Sequence, residues 1–222
     1  MEKTKDNRSW EAYWSGDHDH SWWKRPDPHV LEFISTQSPE RLPHVLDLGS
    51  GLGRHAIAFA QAGFLVSATD ASESAVSHRR KWAADLSLRI PTQVCDVLGD
   101  SFPDGSFDLV LSYNVIYHGS RNLFAAVIDH VHALLRTGGL FYFTRPTRAD
   151  GKYGFGEEVA LHTYHCERSI TPGGIHYFAD KADLEDFLSG FRRLSMEKEE
   201  AYWSNRGVQQ FYSTCHVLAE TA

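Results

Sequence analysis

The sequence is poor in cysteine. Of 222 residues only Cys95, Cys166 and Cys215 carry a thiol, they stand far apart, and no two form a CxxC pair. That spacing excludes a disulfide framework and a zinc knuckle, and a reducing compartment fits it best. Long apolar runs are also missing: none approaches the roughly 20 residues of a membrane span. The start, MEKTKDNRSWEAYW, is polar and then aromatic, without signal-peptide character. The expectation is a cytoplasmic protein with no membrane partner. Positive charge is in deficit, 22 Lys and Arg against 29 Asp and Glu for a formal charge of −7, which argues against a broadly basic nucleic-acid binder. Repeats and low-complexity tracts are absent. What remains is 42% apolar and 13% aromatic, a composition that packs, in a chain long enough for one sizeable core but short for two domains.

The hydrophobic pattern changes character in a regular order. Residues 44–48, 64–69, 92–97, 107–112 and 139–144 are short, β-branched or aromatic segments bounded by Gly, Pro, Asp or Ser, and they read as strands. Between them, residues 54–62, 72–86 and 121–136 read as helices, with Ser72 as an N-cap and Leu123, Phe124, Val127, Val131, Leu134 and Leu135 on one face of the last. Alternating strands and helices predict right-handed parallel βαβ units, hence an α/β, doubly wound, mostly parallel sheet. Beyond Thr144 a Gly-, Tyr- and His-rich stretch runs to about residue 179, followed by a helix over 180–190. Two strands, 191–198 and 209–219, then form a C-terminal antiparallel hairpin joined by the polar link 202–207. At the other end, residues 9–15 and 28–35 predict two short helices flanking a polar, Pro-containing connection. The expected organisation is one domain: an N-terminal cover (1–40), a central core (41–144), an insertion (145–180), and a terminal helix with two strands (181–222).

The strongest local signal is Val45-Leu-Asp47-Leu-Gly49-Ser50-Gly51-Leu-Gly53-Arg54, a strand running straight into a glycine-rich turn that opens a helix. A bulky nucleoside ligand lying across the carboxyl ends of parallel strands must pack against backbone, and glycine removes the Cβ that would collide. Asp70 ends the next strand 23 residues after Asp47, where a carboxylate can accept both hydroxyl hydrogens of a ribose. The third strand ends in Cys95-Asp96-Val97, so three successive strands end in acids.

In these residues the chain resembles the class I S-adenosylmethionine-dependent methyltransferases, in particular small-molecule types such as those of tellurite resistance and the ubiquinone pathway. The likeness is specific over about residues 40–145 and looser elsewhere. It implies a Rossmann-like seven-stranded sheet and S-adenosyl-L-methionine as cofactor. By this likeness Asp47, Gly49, Ser50, Gly51 and Gly53 form the first motif, against the methionine and ribose portions. Asp70 matches the ribose-binding acid, with Ala71 beside it, Asp96 the acid near the adenine amino group, and Val97 a neighbour whose amide faces the ring. Asn114, in Ser112-Tyr-Asn-Val-Ile-Tyr-His118, falls where the family's chain passes the methionine end and the reacting centre. The main rival is a dinucleotide-dependent dehydrogenase, whose spacing is usually GxGxxG, whereas Arg54-His55 stand here where its last glycine would be. A cofactor-binding regulatory protein without turnover is the second alternative.

A methyl sulfonium is already activated, so transfer needs an in-line nucleophile held near 3 Å and sometimes a base. His118, following the fourth strand, is the candidate base; the alternative is a histidine that caps the turn. Tyr13 and Trp14, with Trp22 and Trp23, are candidates for an aromatic lid whose ring faces attract the sulfonium, or for a simple hydrophobic staple. Arg54 is a candidate for the methionine carboxylate or a substrate anion. His162, His165, Cys166 and His176 invite a metal reading, but their spacing matches no established zinc pattern, and no metal is expected. Arg145, His165 and His176 are placed instead near the acceptor. The basic run Arg79-Arg80-Lys81 reads as the solvated face of a helix. The expected partner is a small-molecule methyl acceptor, with no nucleic acid, for a monomer or homodimer.

Overall fold

The computed structural model describes residues 5–17, 19–167, 174–205 and 208–222. Seven strands form the main sheet: β1 (His44–Leu48), β2 (Leu65–Asp70), β3 (Thr92–Val94), β4 (Phe107–Ser112), β5 (Leu135–Pro146), and the C-terminal pair β9 (Phe191–Asn205) and β10 (Val208–Thr221). Their order is β3-β2-β1-β4-β5-β10-β9. The first five run parallel, and β10 pairs antiparallel with both β5 and β9. This is the doubly wound, Rossmann-like sheet with a terminal hairpin that the sequence pattern predicts.

Both faces are covered, which is why β4 is buried along its whole length. Helix α5 (Arg121–Leu134) and the short α6 (Lys181–Phe187) enclose one apolar layer with Leu46, Leu48, Val110 and Phe143. Helices α2 (Pro28–Thr36) and α3 (Arg54–Gln61) enclose the other with Val45, Val66, Leu109 and Tyr142. α4 (Glu73–Asp85) lies beyond β2 and β3, and α1 (Lys5–Ser15) packs against it. The caps are local. Ser72 accepts from the Ala75 amide at the start of α4, Ser120 from Leu123 at α5, and Asp180 and Asp183 form a reciprocal capping box at α6. Among the described residues no helix is long and apolar enough to cross a membrane.

Several boundaries differ from the predicted ones, each for a physical reason. β3 stops at Val94 instead of reaching residue 97, because the Asp96 carboxylate takes the Val97 amide at 2.7 Å and its carbonyl takes the Gly99 amide, turning the chain out of the sheet. The hairpin strands run further than 191–198 and 209–219, since the pairing between them continues from Phe191 to Asn205. Most of the predicted link is therefore strand; its residues 206 and 207 lie outside the described part. The stretch after residue 145 folds as a small antiparallel sheet, β6 (Gly156–Ala160), β7 (Thr163–Cys166) and β8 (Ile175–Tyr177). A bridge between His118 and His176 and a bond from the Tyr177 amide to the Tyr117 carbonyl fasten that sheet to the turn after β4.

Candidate active site

The turn after β1 is built from backbone that only glycine adopts readily. Gly49 and Gly53 sit at φ +73° and +89°, and a Cβ at either would drive into Val115 or the Arg79 stem. Asp70, at the end of β2, ties this turn to the next. One carboxylate oxygen accepts from the Gly51 amide at 2.7 Å and the other from the Ser72 amide at 2.9 Å. Burial pushes its carboxyl above the usual range, while these two amides pull the other way. Ala71 is half-buried between Asp70 and the Ser72 cap.

Under the turn lies a residue whose role the sequence concealed. Arg79 is fully buried, not part of a solvated face. Its stem packs beneath Gly53, and its guanidinium donates to the Gly51 carbonyl at 2.9 Å and to the Ser50 hydroxyl. Arg80, its neighbour, is exposed. A helix places consecutive residues about 100° apart, so a run of three like charges need not share one surface. Asp47 is also buried, and accepts from the Ala56 amide at 3.0 Å, supplying to α3 the cap that Gly53 cannot. Burial pushes the Asp47 carboxyl up to about 7 against the opposing pull of Arg79.

At the next strand ends, Asp96 is half-buried on the rim, with Val97 beside it. Asn114 adopts φ +61°, and its side-chain oxygen accepts from the Thr144 hydroxyl at 3.0 Å while its amide donates to that oxygen at 2.8 Å. This clamp fixes the chain where β4 leaves the sheet and sets Val115 against Gly49. His118 lies one turn on. Its ring meets Trp10 edge-on at 4.9 Å and packs within 4.5 Å of Tyr117 and His176. Enclosure by these groups pulls its pKa down to about 3, even though a bond to the Asn114 carbonyl favours the charged form. At neutral pH the imidazole is uncharged, so it can accept a proton but holds one weakly.

α1 brings aromatic surface over the glycine turn. Trp14 is buried against Gly51, Leu52 and Ala75, and the Tyr13 hydroxyl accepts from the Trp23 indole at 2.7 Å. Trp22 stays exposed and takes no part in the cluster. Glu11 was invisible in the sequence. Its carboxylate accepts from the Ser72 hydroxyl at 2.6 Å and from the Ser74 amide and hydroxyl, and these bonds lower its pKa. No local pattern marks such a contact, which spans about sixty residues. The Arg54 guanidinium lies between the rings of Trp23 and Tyr113, at 5.4 and 5.5 Å, and donates to the Arg25 carbonyl.

Other predicted residues are not brought together. His165 and Cys166 are adjacent on β7 and so face opposite sides, and the His162 ring is engaged by the Tyr153 hydroxyl at 2.7 Å. Arg145 is buried with its guanidinium donating to the backbone carbonyls of Ala179 and Pro146, so it holds the insertion in place and does not reach outward to an acceptor. His176 is buried against His118 and Tyr117. Burial pushes the thiols of Cys95 and Cys166 up to about 11, away from reactive thiolate character.

A family model described as a methyltransferase domain matches residues 45–139. The chain is 26% identical over 153 residues to a ubiquinone biosynthesis O-methyltransferase of Coxiella burnetii, covering 69% of this chain and 63% of the relative. It is 29% identical over 197 residues to a sarcosine/dimethylglycine N-methyltransferase of Halorhodospira halochloris, covering 83% and 67%. Among solved structures, one reported for conversion of a disulfide bond into a thioacetal group during echinomycin biosynthesis superposes with a TM-score of 0.73 at 18% identity, covering 97% of this chain and 92% of the other. TehB from Haemophilus influenzae superposes at 0.67 with 17% identity, covering 96% and 67%. These structural likenesses show the fold. The family model marks residues 45–139 as a methyltransferase domain, and with the sequence relatives and the shared fold it supports the class I S-adenosylmethionine-dependent type.

Proposed function

We propose that this protein transfers a methyl group from S-adenosyl-L-methionine to a small-molecule acceptor. The observation that carries the reading is the join at Asp70, where one buried carboxylate at the end of a parallel strand fastens a turn of left-handed glycines. The donors fit the cofactor's chemistry. Asp70 offers acceptor oxygens for two ribose hydroxyls, and Asp96, one of whose carboxylate oxygens holds the Val97 amide, offers its other oxygen as an acceptor for the adenine amino group. The backbone of 49–53 allows close approach, and Asn114 borders the methionine end. Tyr13 and Trp14 lie on α1, whose rings would cover the site and exclude water. When bound, the cofactor supplies a methyl group on a cationic sulfur.

The chain's own contribution is placement and shelter. Holding an acceptor in line converts an encounter into an intramolecular step, so the walls matter more than any single acid or base. His118 is proposed as the group nearest the acceptor able to take a proton. As a base this weak, it suits a nucleophile that loses its proton late or hands it on to water. The names of the relatives, an O- and an N-methyltransferase, support a small oxygen or nitrogen acceptor. Incubation with methyl-labelled cofactor and a panel of small phenols, amines and amino acids should yield S-adenosylhomocysteine and one labelled product. Cofactor binding with no turnover on any such panel would favour a regulatory binding protein, and stabilisation by NAD in place of S-adenosylhomocysteine would favour a dehydrogenase.

A further inference from the structure

A second constellation lies beyond Tyr113 and belongs to none of the cofactor motifs. Its members come from three elements: His29 in the first turn of α2, Glu199 on β9 and His216 on β10. Glu199 and His216 are diagonal neighbours across the hairpin, because Glu197 is the direct partner of His216 and Glu199 that of Thr214. α2 then lays the His29 ring on the His216 ring, centroids 4.2 Å apart. Glu199 Oε2 is 3.2 Å from His216 Nε2 and 4.0 Å from His29 Nδ1, and one donor atom from each of the three residues lies within 4.8 Å of the others. Among the described residues this is the one such group of three.

We infer that His29, Glu199 and His216 form a binding site for one divalent transition-metal ion of the zinc class. Two imidazole nitrogens and one carboxylate oxygen are the donor set such ions take, whereas magnesium and calcium prefer oxygen throughout. The surroundings prepare the donors. The Tyr142 hydroxyl is 3.0 Å from His216 Nδ1, which fixes that ring and leaves Nε2 facing Glu199. The Asp27 carboxylate is 3.2 Å from His29 Nδ1 and adds negative charge beside the third donor. His216 is 5% exposed, while the side chains of His29 and Glu199 are 37% and 34% exposed, so the group is closed from behind and open in front. That opening leaves a coordination position for water or an oxygen ligand. The His216 ring is 5.8 Å from that of Tyr113, over which Arg54 lies. The ion would therefore sit next to the candidate active site yet outside its glycine turn.

The test is metal binding by the full chain, free of any histidine tag, probed with Co2+ alone by visible spectroscopy and with Zn2+ alone by equilibrium dialysis. The expected result is one ion per chain and visible ligand-field bands for the Co2+ form. His29→Ala and Glu199→Gln, both partly exposed, should each weaken binding at least about tenfold, with Tyr142→Phe weakening it less. The exposed control His132→Ala should bind as the parent does. His216→Ala is informative only if circular dichroism shows it folded; the two exposed variants decide the matter otherwise. Absence of stoichiometric binding by the parent, or equal binding by His29→Ala and Glu199→Gln, overturns the inference. Stabilisation by S-adenosylhomocysteine, recorded on the same samples without metal, tests the methyltransferase reading separately.

Discussion

The two halves of the sheet are built by different means. On the side of β1 and β2, the carboxylates at the strand ends find their partners nearby in the chain: Asp47 with the Ala56 amide, and Asp70 with the amides of Ser72 and Gly51. On the side of β5, β10 and β9, the polar groups meet only through distant pairing: Tyr142 with His216, Arg145 with Ala179, His118 with His176. The first half is a rigid local frame; the second is an assembly of segments that tertiary structure alone aligns.

The largest expected effect falls on the local frame. Arg79→Met removes the cation beside two buried carboxyls and leaves the Gly51 carbonyl without that donor, so urea denaturation should show a loss of about 3–5 kcal/mol. The exposed neighbour Arg80→Ala should stay within about 0.5 kcal/mol. Equal effects of the two would break the contrast between a buried anchor and a solvated face. Gly49→Ala comes next. A left-handed φ and the collision with Val115 should cost about 1–3 kcal/mol and weaken S-adenosylhomocysteine binding as the turn shifts.

A subtler contrast is in the sign of the pH dependence. Asp47 has its folded pKa raised to about 7, so between about 4 and 7 the native state holds the extra proton and this residue makes stability fall as pH rises. His118 is the reverse. Its folded pKa is lowered to about 3, so below about 6.5 the unfolded state binds the extra proton and stability is lost as pH falls toward 3. His55 and His176, also pulled down by burial, act in the same sense. Thermal denaturation from pH 4 to 7 should thus show a steeper rise of stability with pH in Asp47→Asn than in the parent, and a shallower one in His118→Gln. The smallest effect expected is that of Trp22→Ala, within about 0.5 kcal/mol by the same measurement, since its ring lies outside the cluster around Trp14.

The same division explains what could be read from the sequence. The strand, glycine turn and acid of the first half occupy short windows in the sequence, so Asp47, Gly49, Gly51, Gly53 and Asp70 stand out there as candidates, and the structure places them around one turn. Arg79 looks solvated in the sequence because its neighbours are charged, whereas its burial depends on a turn nearly thirty residues earlier. Glu11 gave no signal, as its partners Ser72 and Ser74 approach only when α1 packs on α4. The strands of the insertion do not show in its sequence. Its segments are three to five residues long, and short polar strands have too little alternation to stand out. His29, Glu199 and His216 are separated by up to 187 residues and are neighbours only through the hairpin register and the seat of α2. No spacing rule reaches that far.

The central claim, that the carboxylate ending β2 is the anchor of an adenosyl ligand, is tested most directly by titration calorimetry of S-adenosylhomocysteine into the parent protein and into Asp70→Ala. The prediction is saturable one-to-one binding by the parent and at least about a tenfold loss in the variant, with circular dichroism unchanged. Equal affinity in both, or no binding by the folded parent, would contradict it.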